Sequence, residues 1–465
     1  MTMKRKTLTG LSLAAMLGFG LSQTMIMSPA AAADLPAATK AALKQLKLDA
    51  SILSGLDEEL KTPADWRVKA KKEGALDIIG AWDPPQFRKI AAPFKARFPE
   101  VKISYVRGGL YDRGVKTLLA LRQGRFLADI IISAGGNWIG FKDMNALEDL
   151  RVLPNYKRLD KITREPNGLW VGQKIAYRCM VYNTKQVKKS ELPKTWDDLI
   201  TSPRWRNGKL GVPNRPSLWL SMLWLKKGPE WTKNFMTKIF TVVKPQLRKE
   251  GANAMIALTV AGEFDAAVGA AEYRILQYQQ RGAPAGFHCP TPVPLAITAM
   301  IVLKDNPHKY SSLIFTNWFI SKEGQIAQYA ANNAIPVRSD LASRKEFMPF
   351  PEEVMGKPLA IRDEGKLVTE YAKMMAYYNP LWKKAGGGKS GKLTTIKVKL
   401  TGIKRSGRII SYNLKGKPSE ITISGRRTVV TINGAKVKRN KLKPGMTCEI
   451  TASKGASAAS VECKK

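Results

Sequence analysis

Apolar and polar positions follow two different periods along the first third of the chain. Residues 76–80, 101–106 and 127–132 form short apolar or alternating runs that predict strands, whereas residues 86–97 and 113–124 have the 3.6-residue period of amphipathic helices. Strand, loop and helix repeated in this order predict an α/β fold built on a parallel sheet with buried strands.

The loops that follow these strands are rich in glycine and carry the first candidate site. In open α/β sheets, ligands bind beyond the carboxyl ends of the strands. Trp82, Gly109, Ser133, Gly135 and Gly136 fall at that edge and are candidate ligand-binding residues. A glycine leaves its backbone N–H open to an anion. Tight turns would also explain the glycines, and a core position would also explain the tryptophan.

The middle of the chain repeats the pattern, with strands predicted at residues 174–182 and 209–212. Asn214, Arg215 and Ser217 follow the second of these strands and are expected to face the first set of loops. An arginine there can bind a carboxylate or phosphonate in bidentate fashion. The alternative is a solvated surface charge.

The two ends of the chain differ from this pattern. Residues 34–73 have helical periodicity, whereas residues 385–392 are rich in glycine and predict a flexible linker. Residues 393–465 carry short alternating runs, and Asn433-Gly434 is a strong hairpin-turn signal. They predict a small all-β module with a barrel or sandwich shape.

The amino terminus predicts export. Lys4, Arg5 and Lys6 precede an apolar stretch at residues 8–21, and small residues follow at 31–33. A positive, then apolar, then small-residue order is typical of a secretory signal peptide, here residues 1–33. We therefore expect the mature chain in the periplasm.

The net charge restricts the partners. The chain carries +40, of which the signal peptide contributes +3, and the tail from residue 389 onward has 19 basic and three acidic residues, a net +16. Such a field attracts anions and anionic surfaces. It disfavours a site for a bare, highly charged cation, so a metal would arrive chelated by an anion. A role of the charge in solubility is an equally simple interpretation.

Four cysteines in an exported chain predict two disulfides. The sequence alone leaves the pairing open. We pair Cys448 with Cys463 because both lie in the tail, which leaves Cys179 with Cys289. No C-x-x-C spacing occurs, so neither a zinc site nor a redox motif is expected.

Catalysis is not expected. His288 and His308 are the only histidines, and neither lies in a nucleophile motif. The sequence also has no phosphate-binding loop and no dinucleotide fingerprint. We predict no enzyme activity and no cofactor, and we leave a metal undetermined.

Six motifs of the main body occur in an order that resembles a known family. They span residues 74–345 and are Phe94–Ile103 (FKARFPEVKI), Gln123–Ile130 (QGRFLADI), Thr195–Leu199 with Gly208–Pro213 (TWDDL, GKLGVP), Ala261–Glu263 (AGE), Ser321–Gln325 (SKEGQ) and Ile335–Arg338 (IPVR). This order resembles the ferric-iron, phosphonate and thiamine branch of the periplasmic solute-binding proteins of ABC importers.

The resemblance implies a two-lobed periplasmic-binding-protein fold of type II. Residues 74–177 and 293–384 would form the first lobe, and residues 178–292 the second. A small ligand would be captured in the cleft by domain closure and delivered, by a monomeric receptor, to an ABC permease in the inner membrane. The basic module is not part of the family pattern.

The resemblance also implies a ligand position. Iron-binding members carry adjacent tyrosines near the place where this chain has Glu272 and Tyr273. Carboxylate and phenolate oxygens are hard donors suited to ferric iron. We expect the ligand to be an anion, an organophosphonate or a ferric chelate.

Three alternatives stay open. An envelope protein could bind anionic polymers through the basic module, as compact basic β-barrels do. A receptor for a polyamine or thiamine would use the same cleft for a cation. A secreted enzyme on the same scaffold would depend on His288 or His308.

Overall fold

The computed structural model describes residues 35–386, 394–404, 406–414, 416–423, 428–452 and 458–464. The predicted signal peptide, residues 1–33, and most of the predicted linker lie outside these ranges. Within them, the structure contains no helix with the length and apolar character needed to cross a membrane.

Ten strands of the main body share one sheet. They are β1 (Ala75–Gly80), β2 (Lys102–Arg107), β3 (Ile130–Ile132), β4 (Val171–Asn183), β5 (Leu210–Pro213), β6 (Gln246–Arg248), β7 (Ala266–Ala271), β8 (Ala285–His288), β9 (Val293–Val302) and β10 (Leu359–Ile361). The order is β2-β1-β3-β9-β4-β7-β5-β6, with β10 paired to β9 and β8 paired to β4. Strands β1, β2 and β3 are parallel, as are β5, β6 and β7, which confirms the predicted α/β class.

Helices precede and connect these strands. They are α1 (Ala37–Leu46), α2 (Leu56–Leu60), α3 (Ala64–Glu73), α4 (Pro84–Arg97), α5 (Thr117–Arg122), α6 (Trp138–Asp143), α7 (Asp198–Thr201), α8 (Leu220–Lys227), α9 (Pro229–Lys238), α10 (Ala252–Val260), α11 (Glu272–Gln279), α12 (Lys309–Phe319), α13 (Lys322–Asn332), α14 (Ser339–Ala342), α15 (Pro351–Val354) and α16 (Glu364–Lys384). The first three form the predicted amino-terminal helical segment.

Strand β4 belongs to both lobes. Its residues 171–177 pair with β9, and residues 178–182 pair with β7 in the second lobe. The lobes are therefore parts of one hydrogen-bonded sheet, joined where β4 and β9 cross between them.

The two faces of the sheet are covered differently. On one face a single apolar cluster runs through both lobes and includes Ile78 and Val181. On the other face the cover is divided into a first-lobe cluster around Ile79 and a second-lobe cluster around Met180. Adjacent strand residues point to opposite faces, which explains why neighbours join different clusters.

Helix α16 packs on the second lobe, although the sequence assigned it to the first. Met374, Tyr378 and Trp382 are buried in the second-lobe cluster. The Trp224 indole N–H donates to the Glu370 carboxylate over 2.8 Å, which adds a polar contact between the second lobe and the helix. The apolar period of α16 predicted a buried stripe but carried no information about which lobe it covers.

Two elements of the first lobe are shorter than predicted. Strand β3 begins at Ile130 rather than Leu127. The Asp129 carboxylate just before it accepts hydrogen bonds from the Asp77 N–H and the His308 ring. The helix predicted at residues 113–124 is a π-helical turn, Asp112–Lys116, followed by α5.

The carboxy-terminal module is a separate seven-stranded sheet. Its strands are β11 (Thr394–Lys404), β12 (Ile409–Leu414), β13 (Lys417–Thr422), β14 (Val429–Ile432), β15 (Ala435–Lys436), β16 (Thr447–Ala452) and β17 (Ser460–Lys464), in the order β13-β12-β11-β16-β17-β14-β15. It has its own apolar core. Asn433 and Gly434 turn β14 into β15 with φ values of 52° and 80°, as the hairpin signal predicted.

Both predicted disulfides are present. Cys448 and Cys463 face each other on neighbouring strands β16 and β17, and Cys179 of β4 is bonded to Cys289 just after β8. The second of these bonds fastens the crossing strand to the edge of the second lobe.

A buried carboxylate joins the amino-terminal segment to the first lobe. Glu323 accepts hydrogen bonds from the Thr39 hydroxyl (2.6 Å), the Arg97 Nε (2.7 Å) and the Trp318 indole N–H (2.8 Å). All three donors would lose their acceptor if the carboxylate were removed.

We predict that Glu323→Ala lowers the free energy of unfolding by about 3–5 kcal/mol, because it leaves a largely buried guanidinium uncompensated. Urea denaturation measures the change. Glu346→Ala removes an exposed pair with Arg344 and should cost less than about 1 kcal/mol. Equal effects of the two substitutions would contradict the prediction.

Candidate functional site

Two cations occupy the only half-buried positions of strand β4. Eleven of its thirteen residues are buried, and the exceptions are Lys174 and Arg178. Ile175 and Tyr177 join the continuous cluster, so the side chains of Lys174 and Arg178 point to the opposite face. That face is the one on which the apolar cover is divided between the lobes.

Strand pairing brings a carboxylate and a phenol to these cations. Arg178 is opposite Ala271, the last residue of β7, and Glu272 and Tyr273 follow at the start of α11. The Tyr177 backbone N–H donates to the Glu272 Oε2 over 2.8 Å, which holds this carboxylate beside the strand, where its pairing with β7 has ended.

Tyr273 is surrounded by positive charge. The Lys174 Nζ lies 4.1 Å from the centroid of its ring, and the Arg274 guanidinium carbon lies 5.4 Å from the same centroid. Cations near an aromatic face are attracted to its electron density. They also favour the ionised phenolate.

The environment brings the pKa values of the two acids close together. Burial raises the pKa of Glu272 to about 7, against the opposing effect of Arg178 and Lys174. Burial also acts to raise the pKa of Tyr273, but Lys174, Arg178 and Arg274 outweigh it and lower that pKa to about 7. We call Lys174, Arg178, Glu272, Tyr273 and Arg274 the Tyr273 cluster. With three cations and at most two anions, this cluster stays positive whether or not its two acids are ionised.

Polar atoms of this cluster lack partners within the described part of the chain. They are the Nε of Arg178, the Nε of Arg274 and the Oε1 of Glu272. A buried donor without an acceptor costs about 1–3 kcal/mol. Two orphaned guanidinium donors in a positive site favour binding of an anion.

The cluster opens into a cavity of about 1070 Å³. Arg178, Arg215, Asn253, Tyr273 and Tyr278 line it from the second lobe. Strands of the carboxy-terminal module line its other side. The cavity thus combines cationic, phenolic and amide groups in a space large enough for a small ligand.

The structure brings two of the predicted site residues to this cavity, Arg215 and Tyr273, with Glu272 directly behind them. Trp82 lies elsewhere. Its side chain is 6% exposed and packs against Phe87 and Phe319 in the continuous core, which is the alternative that the sequence left open.

The glycine- and serine-containing loops of the first lobe are engaged internally. The Gly109 N–H donates to the Asp112 carboxylate over 2.7 Å. The Ser133 hydroxyl hydrogen-bonds to the Gln173 side chain over 2.6 Å, and its carbonyl accepts from the Arg113 Nε. These contacts use polar groups that we expected to face a ligand.

The residues at the start of α16, which the sequence did not single out, lie between the predicted ligand loops of the first and second lobes. Arg362 pairs with Glu364 over 2.6 Å and donates to the Ser217 carbonyl over 3.0 Å. A Cβ added to Gly136 would lie 3.0 Å from the Glu364 carboxylate. The start of α16 therefore separates the loop containing Gly135 and Gly136 from the loop containing Asn214 and Ser217.

We predict that one tyrosine of the folded protein ionises near neutral pH, and that this tyrosine is Tyr273. Ultraviolet difference titration of tyrosinate absorbance detects it. The step should disappear in Tyr273→Phe and persist in Tyr278→Phe, since burial raises the pKa of Tyr278. A titration without any tyrosinate below pH about 9 would contradict this account of the cluster.

Comparison with known proteins agrees with the fold. The family model of the bacterial extracellular solute-binding proteins matches residues 81–326, more than half of the chain. No curated protein matches.

Several solved structures align with this chain over nearly their own whole length. Iron-bound HitA from Pseudomonas aeruginosa is 18% identical (TM-score 0.53), covering 66% of this chain and 99% of its own. Trichodesmium IdiA (FutA) with iron and citrate is 20% identical (TM-score 0.53), and the alignment covers 67% of this chain and 99% of its own. An ABC transporter substrate-binding protein from Bradyrhizobium japonicum USDA 110 is 14% identical (TM-score 0.53), and the alignment covers 67% of this chain and 99% of its own.

The resemblance seen in the six motifs is thereby confirmed. The two-lobed fold accounts for about two thirds of the chain, and the module is additional to it. The matched family comprises extracellular solute-binding proteins rather than enzymes, and a substrate-binding protein of an ABC transporter implies two partners, a ligand and a permease. This chain belongs to the bacterial extracellular solute-binding proteins.

Proposed function

We propose that this receptor binds a small anionic ligand at the Tyr273 cluster, that an anionic ferric chelate suits the cluster best, and that closure of the lobes delivers it to an ABC importer. The observation that carries the proposal is the arrangement of Lys174, Arg178 and Arg274 around one phenol. The orphaned guanidinium donors supply direct binding capacity.

A ferric chelate would use both the phenol and the positive charge of the cluster. A phenolate is a hard oxygen donor for ferric iron, but Tyr273 and Glu272 alone would leave most coordination positions empty. The remaining oxygens would come from a polycarboxylate chelator, and guanidinium groups bind carboxylates through charge-assisted hydrogen bonds. The iron and citrate in the Trichodesmium structure support a chelate as a ligand of this fold.

The charge disfavours the cationic ligands. The cluster is positive in every ionisation state, and the chain as a whole carries +40, so a polyamine or thiamine would be repelled from the cavity. An organophosphonate remains the main competitor, because it would use the same three cations without the phenolate.

The proposal predicts a ranking of ligands and variants. In calorimetric titrations, ferric citrate should bind more tightly than citrate or methylphosphonate, and thiamine should not bind. Arg178→Ala should weaken ferric citrate about tenfold to a hundredfold, since a charged hydrogen bond contributes about 1.5–3 kcal/mol. Tyr273→Phe should also abolish the phenolate-to-iron charge-transfer absorption.

Arg122→Ala serves as the matched control. It removes the same charge from an exposed position at the end of α5 and should leave affinity unchanged. Unchanged binding in Arg178→Ala and Tyr273→Phe would overturn the site. Retention of the protein on anionic polymers, with no small ligand bound, would favour an envelope-binding role instead.

The pH dependence separates a ferric chelate from a simple anion. As pH rises through about 7, Tyr273 loses its proton among Lys174, Arg178, Arg274 and Glu272. A ferric chelate should bind more tightly above this pH, because the phenolate becomes available as a ligand. A metal-free phosphonate should bind less tightly, because the cluster loses positive charge. Affinities measured on either side of pH 7, with Tyr273→Phe as the reference, distinguish the two.

A further inference from the structure

The carboxy-terminal module forms the side of the cavity that faces the second lobe. Ile396 of β11, Arg408 before β12, Tyr412 of β12 and Glu420 of β13 line this side. The site residues Arg178 and Tyr273 lie across the same cavity. A ligand bound at the cluster would therefore have the module on its far side.

The module also reaches the first lobe. The Arg408 Nη1 lies 3.9 Å from the Asp83 Oδ1, in the loop that follows β1. Asp83 is already paired with Arg107 over 3.0 Å. Arg408 is thus the second cation on a shared carboxylate, and this loose pair leaves most of its donors available.

The other charged group on this wall is already neutralised. The Glu420 carboxylate accepts from the Lys404 ammonium over 2.6 Å and from the Ser411 hydroxyl over 3.0 Å. Among the described residues of the module, Arg408 is therefore the effective charge that faces the cavity. Tyr412 is the one aromatic residue between positions 393 and 465, and burial raises the pKa of its phenol, so it stays a hydrogen-bond donor at neutral pH.

Two bodies of like charge face each other across this space. Residues 34–388 carry a net +21 and residues 389–465 a net +16. Their mutual repulsion opposes apposition, and an anion placed between them would offset it. A cavity enclosed by two positive surfaces is an environment in which an anion stabilises the closed arrangement.

We propose that the carboxy-terminal module is a third wall of the ligand site, and that Arg408 and Tyr412 contact the bound anion. This inference rests on the proposed function, since it assigns additional contacts to the same ligand. The family fold has two walls, one from each lobe, and the module adds a surface whose removal or displacement opens the cavity to solvent.

The test uses full-length protein with ferric citrate and, separately, methylphosphonate as probes. Arg408→Gln should weaken binding of the better probe about tenfold, and Tyr412→Phe about threefold, the losses expected for a charged and a neutral hydrogen bond. Lys438→Gln is the control, because it removes one charge from an exposed position of the module outside the cavity. Arg408→Lys should restore part of the affinity.

Hydrogen–deuterium exchange gives a second readout that does not depend on the variants. The probe should slow exchange of backbone amides in β11 and β12 of the full-length protein. Each variant is checked by its melting temperature without ligand, so that a folding defect is recognised.

The outcomes separate this inference from the proposed function. If Arg178→Ala weakens binding while Arg408→Gln behaves like Lys438→Gln and the module shows no protection, the third wall is wrong and the receptor stands. If none of Arg178→Ala, Arg408→Gln and Tyr412→Phe changes the affinity, the proposed site itself fails. Weakening by both Arg178→Ala and Arg408→Gln, with protection of the module, supports both.

Discussion

The partial burial of two cations on a shared strand is the constraint on which this molecule depends. Strand β4 joins the lobes through its pairing with β9 and β7, yet it carries Lys174 and Arg178 on an otherwise buried strand. Such charges are tolerated only where opposite charge or hydrogen bonds compensate them. Glu272 and Tyr273 supply part of that compensation, and the anion that we propose as the ligand would supply the remainder.

Much of the fold could be predicted because it is local. Alternating and 3.6-residue periods located most strands and helices, and the glycine turn at Asn433-Gly434 located a hairpin of the module. Both cysteine pairs followed from their distribution between body and tail. Helix α16 was assigned to the wrong lobe because its apolar stripe fits either core, and only long-range packing selects one.

The site was predicted in part, for the same reason. Tyr273 was identified through the family motif and Arg215 through its loop. Lys174 and Arg178 looked like ordinary residues of a strand, since a sequence period does not reveal where the cover over a sheet is divided. Gln173 and Glu364, distant in sequence, lie beside Ser133 and Gly136, and no sequence period reveals such neighbours.

The disulfide between Cys179 and Cys289 has a consequence for the timing of maturation. Cys179 is the immediate neighbour of Arg178, and its partner follows the last residue of β8. Before this bond forms, the part of the strand that carries the cation is held there by strand pairing and apolar packing, without a covalent link. Disulfides of this kind form in oxidising compartments. The covalent fixation of the site that we propose would thus depend on an oxidising compartment, and a chain kept among cytoplasmic reductants would lack it.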